Sequence, residues 1–435
     1  MRRVFSILII IAMLCLSCAE KVDFGGNVIF VSALDDGQVG IGSQYDPYRS
    51  LEVAIDAAAD GAMIQLSPGI YSANPEEYIE SECGNCEEHL TEVKASTGFH
   101  IVDKTLSIVG THRDSVILVT NAGYGVLFEK SYGSRIANVT ITGGIRDMDG
   151  AATDAAVVAK YSRVTVENCR IIDNEYNDTT VVVGVGGVFG RESSTLIIHN
   201  NIISNNGWDG IALYRGAVAL ITDNIIDGGR GAGIGITWDA QALVQRNRVT
   251  NYWKGIGTFG HSRAVVQNNI VHDNLGWGII LTGRSTMEVR NNNIVRNGNC
   301  GLACWSDEAR GYAINNIIVS NGWRDEWVCP LVGVQMWGTL PNFPVSYNDV
   351  WNNREGNYNG MKEWTGQYGN VSVDPMFVDS LDFHLLDDSP LWHQGDPYYT
   401  DPDGTRSTIG AYGGQGTIEW RLNLDPLSDT VVGMK

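Results

Sequence analysis

No run of lysine or arginine occurs anywhere in the chain, whose 435 residues carry 30 basic against 50 acidic side chains, a formal charge of −20. Nucleic-acid affinity comes largely from cations that displace counterions along the phosphate backbone, so this composition argues against a nucleic-acid partner. The acidity reads instead as a solvated exterior. Long apolar runs are also scarce. The one candidate, MRRVFSILIIIAMLCLSCAEK, holds about thirteen mostly apolar residues behind Arg2 and Arg3, too short to span a bilayer comfortably and suited to an export signal over residues 1–17. Removing it takes away two cations and no acid, which deepens the negative charge. A zinc-type cysteine set is lacking too: no second CxxC follows Cys83-Gly-Asn-Cys86, and His89 alone does not complete a ligand set. Export makes disulfides available, so Cys83 and Cys86 are expected to pair within their acidic loop.

Leu16-Ser17-Cys18 resembles the processing site of bacterial lipoproteins, in which the cysteine is lipidated and becomes the new N-terminus. Cys15 departs from the leucine usual in that motif. The resemblance implies a lipid anchor at Cys18 followed by a tether over residues 18–27, and Ala19 in place of Asp favours the outer membrane or cell surface. A periplasmic or secreted location is the alternative.

Helical periodicity is absent from most of the chain, and a repeat stands in its place. Asparagines open Asn-x-Ile/Val units at Asn201, Asn224, Asn247, Asn269, Asn293, Asn316 and Asn348, at intervals of 22 to 24 residues before a last one of 32. Cys169 takes the same column one unit earlier. A second landmark, Gly-Ile or its equivalent, recurs upstream of each asparagine at Gly210, Gly233, Gly255, Gly278, Gly301 and Gly333. Each unit therefore holds short alternating strands separated by Gly, Asn and Asp turns, and it cannot bury its own apolar side. Coiling the units so that equivalent strands stack gives every copy a neighbour.

This pattern resembles the right-handed parallel β-helix repeat proteins of the pectate-lyase-like superfamily, with the Asn column corresponding to that family's stacked asparagines. The implied fold class is all-β: a single-stranded parallel β-helix of three-strand rungs with an N-terminal capping helix. The stretch from Val31 to Ser72 is similar to the family's N-terminal module, and Leu51, Ala54, Ile55 and Ala58 share one helical face, with Ser50 capping its start and Gly61 its end. Thr408-Ile409-Gly410-Ala411-Tyr412 is similar to the closing segment of many bacterial members. The expected organisation is a β-helix over residues 28–371, an associated C-terminal segment over 372–414 and a tail over 415–435, in a monomer.

Alternation places Ile211 and Leu213 inside and Ala212 and Tyr214 outside. In the asparagine register, one outward column runs through Phe189, Ala212, Gly235, Gly257, Ile280, Ala303 and Gln335. The next runs through Arg191, Tyr214, Thr237, Phe259, Thr282, Trp305 and Trp337. Small residues leave a shallow floor beside a turn bearing Arg215, Trp238, Asp239, His261, Arg284 and Asp307. Aromatic faces suit sugar rings and fixed charges suit their carboxylates. Arg191, Glu192, Trp238, Asp239, Phe259, Trp305, Asp307 and Trp337 are the expected substrate contacts, although any exported β-helix also needs a polar outside.

Rung spacing turns register into distance. Asp239 and Asp307 fall three rungs apart, roughly 14 Å, too far for one metal or a carboxylate pair. Glu192 and Asp239 are about 10 Å apart, marginal for inverting hydrolysis. His261 and Arg284 share a column one rung apart, roughly 5 Å, a base beside a cation. Lyase chemistry on a uronate needs that combination, with Tyr214 or Arg215 serving the leaving oxygen. The expected activity is thus polysaccharide lyase-like on uronate-containing glycans, with a non-catalytic binding or adhesive lipoprotein, a glycoside hydrolase or an epimerase as alternatives. The resemblance leaves calcium open as a cofactor, since related enzymes often use it to neutralise substrate carboxylates. No acidic cluster on the strip locates such an ion, and the acidic loop around Glu80 and Glu82 reads as solvated. Cys300 and Cys329 could clamp the last insertion, which also carries Trp323 and Trp327, while Cys304 falls in the inward column as a buried thiol.

Overall fold

The computed structural model describes residues 27–34, 36–86, 88–174, 183–325, 330–337 and 343–417. The expected export leader, Cys18, Trp327, Cys329 and the tail beyond residue 417 lie outside them, so the expected lipid anchor and Cys300–Cys329 clamp are not described. Three long sheets, here A, B and C, hold 12, 11 and 12 strands. One coil supplies Ile211–Leu213 to sheet C, Val218–Thr222 to sheet A and Ile225–Asp227 to sheet B. The next coil lies directly against it in parallel, pairing Ile211 with Ile234, Leu220 with Leu243 and Ile226 with Val249. The inward Ile, Val and Leu residues of all three sheets form one continuous core.

The corners explain the asparagines. At the A-to-B corner, the residue before each stacked Asn takes a left-handed conformation, as at Asp223, Arg246, Asn268 and Asn291. That geometry turns the chain sharply and aims the following amide inward. Asn247 donates from its backbone N–H and its Nδ2 to Asn269 Oδ1 at 2.9 and 3.0 Å, and Asn269 repeats this with Asn292. The series continues through Asn316 and Asn348 to Asn370. A second stack at the B-to-C corner joins Asn274, Asn297, Asn321 and Asn353 in the same way. Truncating Asn269 to Ala strips the acceptor from two donors of Asn247 and the donor from the Val244 and Gln267 carbonyls. A loss of about 3 kcal/mol is expected in chemical denaturation; a change within ~0.5 kcal/mol would contradict it.

One column assignment is corrected by a single residue. Asn292, not Asn293, occupies the stack, and Asn293 takes the place of the outward Ile270. It faces out because it has a partner there: its Oδ1 accepts from Ala411 N–H at 2.9 Å and its amide donates to the Phe383 carbonyl. Those partners belong to the C-terminal segment, which folds back across sheet B and buries Phe383, Leu391, Ile409 and Ala411 against Ile270, Val295 and Ile317.

Two arginines clasp this segment, Arg248 donating to the Leu381 carbonyl and Arg296 to that of Ser380. Between them Arg248 Nε donates to His272 Nε2 at 3.1 Å, and His272 Nδ1 lies 2.6 Å from Asp273. Burial lowers the His272 pKa despite Asp273, and hydrogen bonds from His272 and Arg296 overcome burial to hold Asp273 at about 2. A depressed histidine favours folding above its free value and loses that advantage as pH falls below ~6.5. Asp273 contributes above ~3.9 and is lost as pH falls further toward its folded value. Amide protection over residues 377–391, corrected for intrinsic exchange, is therefore expected to fall between pH 7 and 5, and unchanged protection would contradict the clasp.

The capping helix spans Leu51–Ala57 and buries Leu51, Ala54 and Ile55, with the Ser50 side chain accepting from Val53 N–H. It ends at Ala58, before Gly61: the Ala58 N–H makes the last helical bond, to the Ala54 carbonyl, and the Ala58 backbone then turns extended (φ −67°, ψ 130°).

Candidate active site on sheet C

Strand pairing in sheet C sets Phe189, Ala212, Gly235, Gly257, Ile280, Ala303 and Gln335 in one outward column. In the lower coils this face is sealed. Val158, Phe189 and Tyr214 form a second apolar cluster with Cys83, Val93 and Ala152, roofed by an antiparallel hairpin that pairs Glu76–Glu80 with residues 93–97.

Arg191 and Glu192, expected to meet substrate, lie beneath this roof, and Arg191 is fully buried. Arg191 bonds both oxygens of Glu80 at 2.9 and 3.1 Å, along with Glu192, the Tyr124 hydroxyl and the Glu82 carbonyl. Lys160 reaches Glu80 at 3.1 Å. Burial pushes the Glu80 carboxyl up, but Arg191 and Lys160 more than reverse that and hold it below its ordinary value. Burial prevails at Glu192, which is raised. Glu80 is thus an anchor rather than a solvated loop residue, because it faces the two cations of the outward column. Gly84 packs so tightly on Arg191 that a Cβ would fall 2.4 Å from Nε. Cys83 and Cys86 are thiols, not the expected disulfide, with Cys86 N–H donating to Cys83 Sγ at 3.0 Å.

The remaining expected residues divide between the two margins of the exposed face. Tyr214 is 2% exposed and closes the sealed cluster. Arg215 stacks over Trp238 at 4.0 Å and donates to the Cys86 carbonyl, so it ties the roof to the coil. Trp238 meets Phe259 edge-on, and Phe259 is 46% exposed. Asp239 accepts from Gly216 N–H and is exposed. His261 follows Asp239 by one coil, its N–H donating to the Trp238 carbonyl. Arg284 comes next, but its guanidinium bonds Glu308 at 3.0 Å and is largely exposed. Asp307 is exposed as well. Asp239, His261, Arg284 and Asp307 thus make a charged rim along the trailing edge. Trp305 stacks on Trp337 at 5.2 Å, and Trp277 bridges Trp305 to Trp253. Cys304 lies in the core as expected.

Two residues not singled out from the sequence stand over the floor itself. Asp209, Ala232 and Lys254 occupy one column at the leading edge in successive coils, Ala232 pairing with Lys254. A Cβ on Gly235 would meet Asp209 Oδ2 at 3.5 Å, and one on Gly257 would meet Lys254 Cδ at 3.8 Å. Both side chains therefore lie on the outer face, above the two glycines. Asp209 Oδ1 accepts from Ala232 N–H at 2.6 Å. Only a glycine fits at 231, where a Cβ would fall 1.9 Å from that oxygen. Burial pushes the Asp209 carboxyl up to about 6, against the pull of the Ala232 N–H and the Lys254 charge. Burial also raises the Tyr214 phenol, with Asp209 adding to it.

Simple alternation assigns Asp209 to the interior, and the landmark glycines break it. A Cβ on Gly255 would strike Val271 and the Gly278 carbonyl, so the glycine and the following Ile256 both face inward. The residue before the glycine is thereby turned outward. That position reads Asp209, Ala232, Lys254, Trp277 and Cys300, and its variation beside an unvarying glycine is the signal that could have marked it.

Calcium would need six or more oxygens. Among the described residues no group of three or more Asp, Glu, His or Cys side chains converges, and the carboxylate over the floor is engaged by Ala232 N–H and opposed by Lys254. Among the described residues, the donor set over the floor does not fit calcium.

The profile described as right handed beta helix region matches residues 111–248 and 186–350, together more than half of the chain. The chain belongs to this right-handed β-helix family. Among solved structures it is similar to pectate lyase Pel9A, at 16% identity over 88% of this chain and 96% of that one, with a TM-score of 0.46. It is similar to the A-module of the mannuronan C-5 epimerase AlgE4 of Azotobacter vinelandii, at 14% identity over 79% and 100%, TM-score 0.49. A GH87 α-1,3-glucanase catalytic domain also matches, at 13% identity over 72% of this chain and 64% of that one, TM-score 0.38. Likeness at these identities is one of fold. No curated protein matches the chain.

Proposed function

We propose that the protein is an exported carbohydrate-active enzyme that cleaves a uronate-containing glycan by elimination on the outer face of sheet C. The observation that carries this reading is the column in which Asp209 and Lys254 lean over the Gly235–Gly257 floor, two rungs and about 10 Å apart at the backbone. Elimination beside a uronate carboxylate needs a cation to neutralise that carboxylate and a base to remove the adjacent proton. Lys254 supplies the charge. Asp209, raised to about 6, is ionised at neutral pH yet basic enough to accept a proton. Tyr214 keeps its phenolic proton and stands at the same coil as Asp209, where it can protonate the leaving oxygen. The rim of Asp239, His261 and Arg284 then takes a binding role, because it lies at the opposite edge of the strand from Lys254. Elimination is favoured over inverting hydrolysis because, among the described residues, one carboxylate is placed over the floor, whereas hydrolysis needs two.

The test is a panel of uronate and neutral polysaccharides. New unsaturated ends are read by ultraviolet absorbance and new reducing ends are read separately. Elimination predicts both signals in equal number on a uronate polymer, and their loss in Lys254→Met. Reducing ends without absorbance would replace lyase by hydrolase, and neither signal on any polymer would remove the enzymatic reading.

A further inference from the structure

The floor beneath Asp209 and Lys254 is short and closed at both ends. Toward the N-terminal coils it stops at Tyr214, where the roof begins: Asn85 receives a 3.4 Å hydrogen bond from Trp238 Nε1, and Arg215 holds the Cys86 carbonyl. Toward the C-terminal coils, Ile280 and Ala303 are buried under Trp277, Trp305 and Val332. Among the described residues, only the coils of Gly235 and Gly257 are left between these covers, a length of roughly 5–10 Å at one rung per ~4.8 Å. A polymer lying along the axis cannot continue past either cover. At the Tyr214 coil the floor adjoins a cavity of about 410 Å³ beneath the roof, lined by Asn85, Cys86, Thr153, Phe189, Trp208 and Tyr214 among others. That volume falls in the range of small-ligand sites, and its aromatic walls with polar backbone edges match the two faces of a sugar ring.

We infer that the groove receives the end of a glycan chain rather than its middle, and that the cavity under the Cys83–Cys86 loop seats the terminal ring. This inference rests on the proposed glycan chemistry of the same site. It makes the roof the element that sets the mode of attack. Trp208 is a wall of the terminal subsite.

The experiment follows viscosity of a long uronate polymer against the number of new unsaturated ends. End-on attack predicts a slow fall in viscosity, with one short product size from the earliest time. Trp208→Ala is expected to raise KM for short oligosaccharides about tenfold while kcat holds. An early collapse of viscosity with mixed product sizes would overturn terminal recognition and leave elimination standing. If the wild type cleaves no uronate polymer, the proposed chemistry fails. Calorimetry with oligosaccharides blocked at either end then decides the inference: weaker binding of one blocked form supports it, and equal binding of both overturns it.

Discussion

Asp209→Asn is expected to lower turnover by about 10²- to 10⁴-fold, the usual range for loss of a positioned base, and to make the protein more stable. The two effects have one cause. Burial holds the Asp209 carboxyl at about 6 in the folded chain, against ~3.9 when free. A carboxyl whose folded pKa is raised loses stability as pH climbs through the folded value, and the loss amounts to about 3 kcal/mol at most at neutral pH. Asparagine keeps an oxygen for the Ala232 N–H and carries no charge. The gain in denaturation midpoint should therefore be present at pH 7.5 and nearly gone at about pH 3, where the carboxyl is mostly protonated in both states. A variant that loses activity but gains nothing at pH 7.5 would assign Asp209 an ordinary solvated carboxylate and remove the physical case for it as the base.

Arg191→Leu is expected to cost about 3–5 kcal/mol, the range for breaking a buried ion pair from one side. The substitution leaves Glu80 and Glu192 buried with Lys160 as their nearest remaining cation. It also removes the surface on which Gly84 packs, so limited proteolysis should open near residues 80–92 before the coils unfold. Replacing Glu80 as well, in Glu80→Leu/Arg191→Leu, should recover part of the loss, because the unpaired carboxylate is gone. A single variant that loses less than ~1 kcal/mol would contradict the view that this network holds the roof down.

Much of the architecture is legible in the residues because the same physical demand recurs in each coil. From Asn201 onward the A-to-B corners set a left-handed residue before an inward amide, so Asn224, Asn247 and Asn269 repeat at coil spacing. The exception, Asn293, shows the limit: among three consecutive asparagines, the choice of the stacked one depends on Ala411 and Phe383, more than ninety residues away in one case. The floor of Ala212, Gly235 and Gly257 is legible for the same reason, since alternation from an inward Ile holds on that side. It fails on the other side of the Gly-Ile landmark, where two successive residues face inward and Asp209 and Lys254 are turned out.

The fate of Arg191 and Glu192 was not legible, because their cover comes from a hairpin about a hundred residues upstream. Nothing within one coil distinguishes a bare outward column from a roofed one. The acidic loop that reads as solvated carries Glu80, the carboxylate that Arg191 and Lys160 need. The margin residues His261 and Arg284 do fall in adjacent coils, yet Arg284 is engaged by Glu308 and the Asp209–Lys254 column lies at the opposite edge of the strand from both.

The central claim is that the carboxyl leaning over Gly235 removes the proton. Its most direct test is the pH dependence of kcat/KM on a uronate polymer that the wild type cleaves. An acid limb with an apparent pKa near 6 is expected, rising to a plateau as Asp209 ionises, and Asp209→Asn should abolish that limb along with most of the rate. The same limb surviving in Asp209→Asn, at a rate close to that of the wild type, would contradict the account.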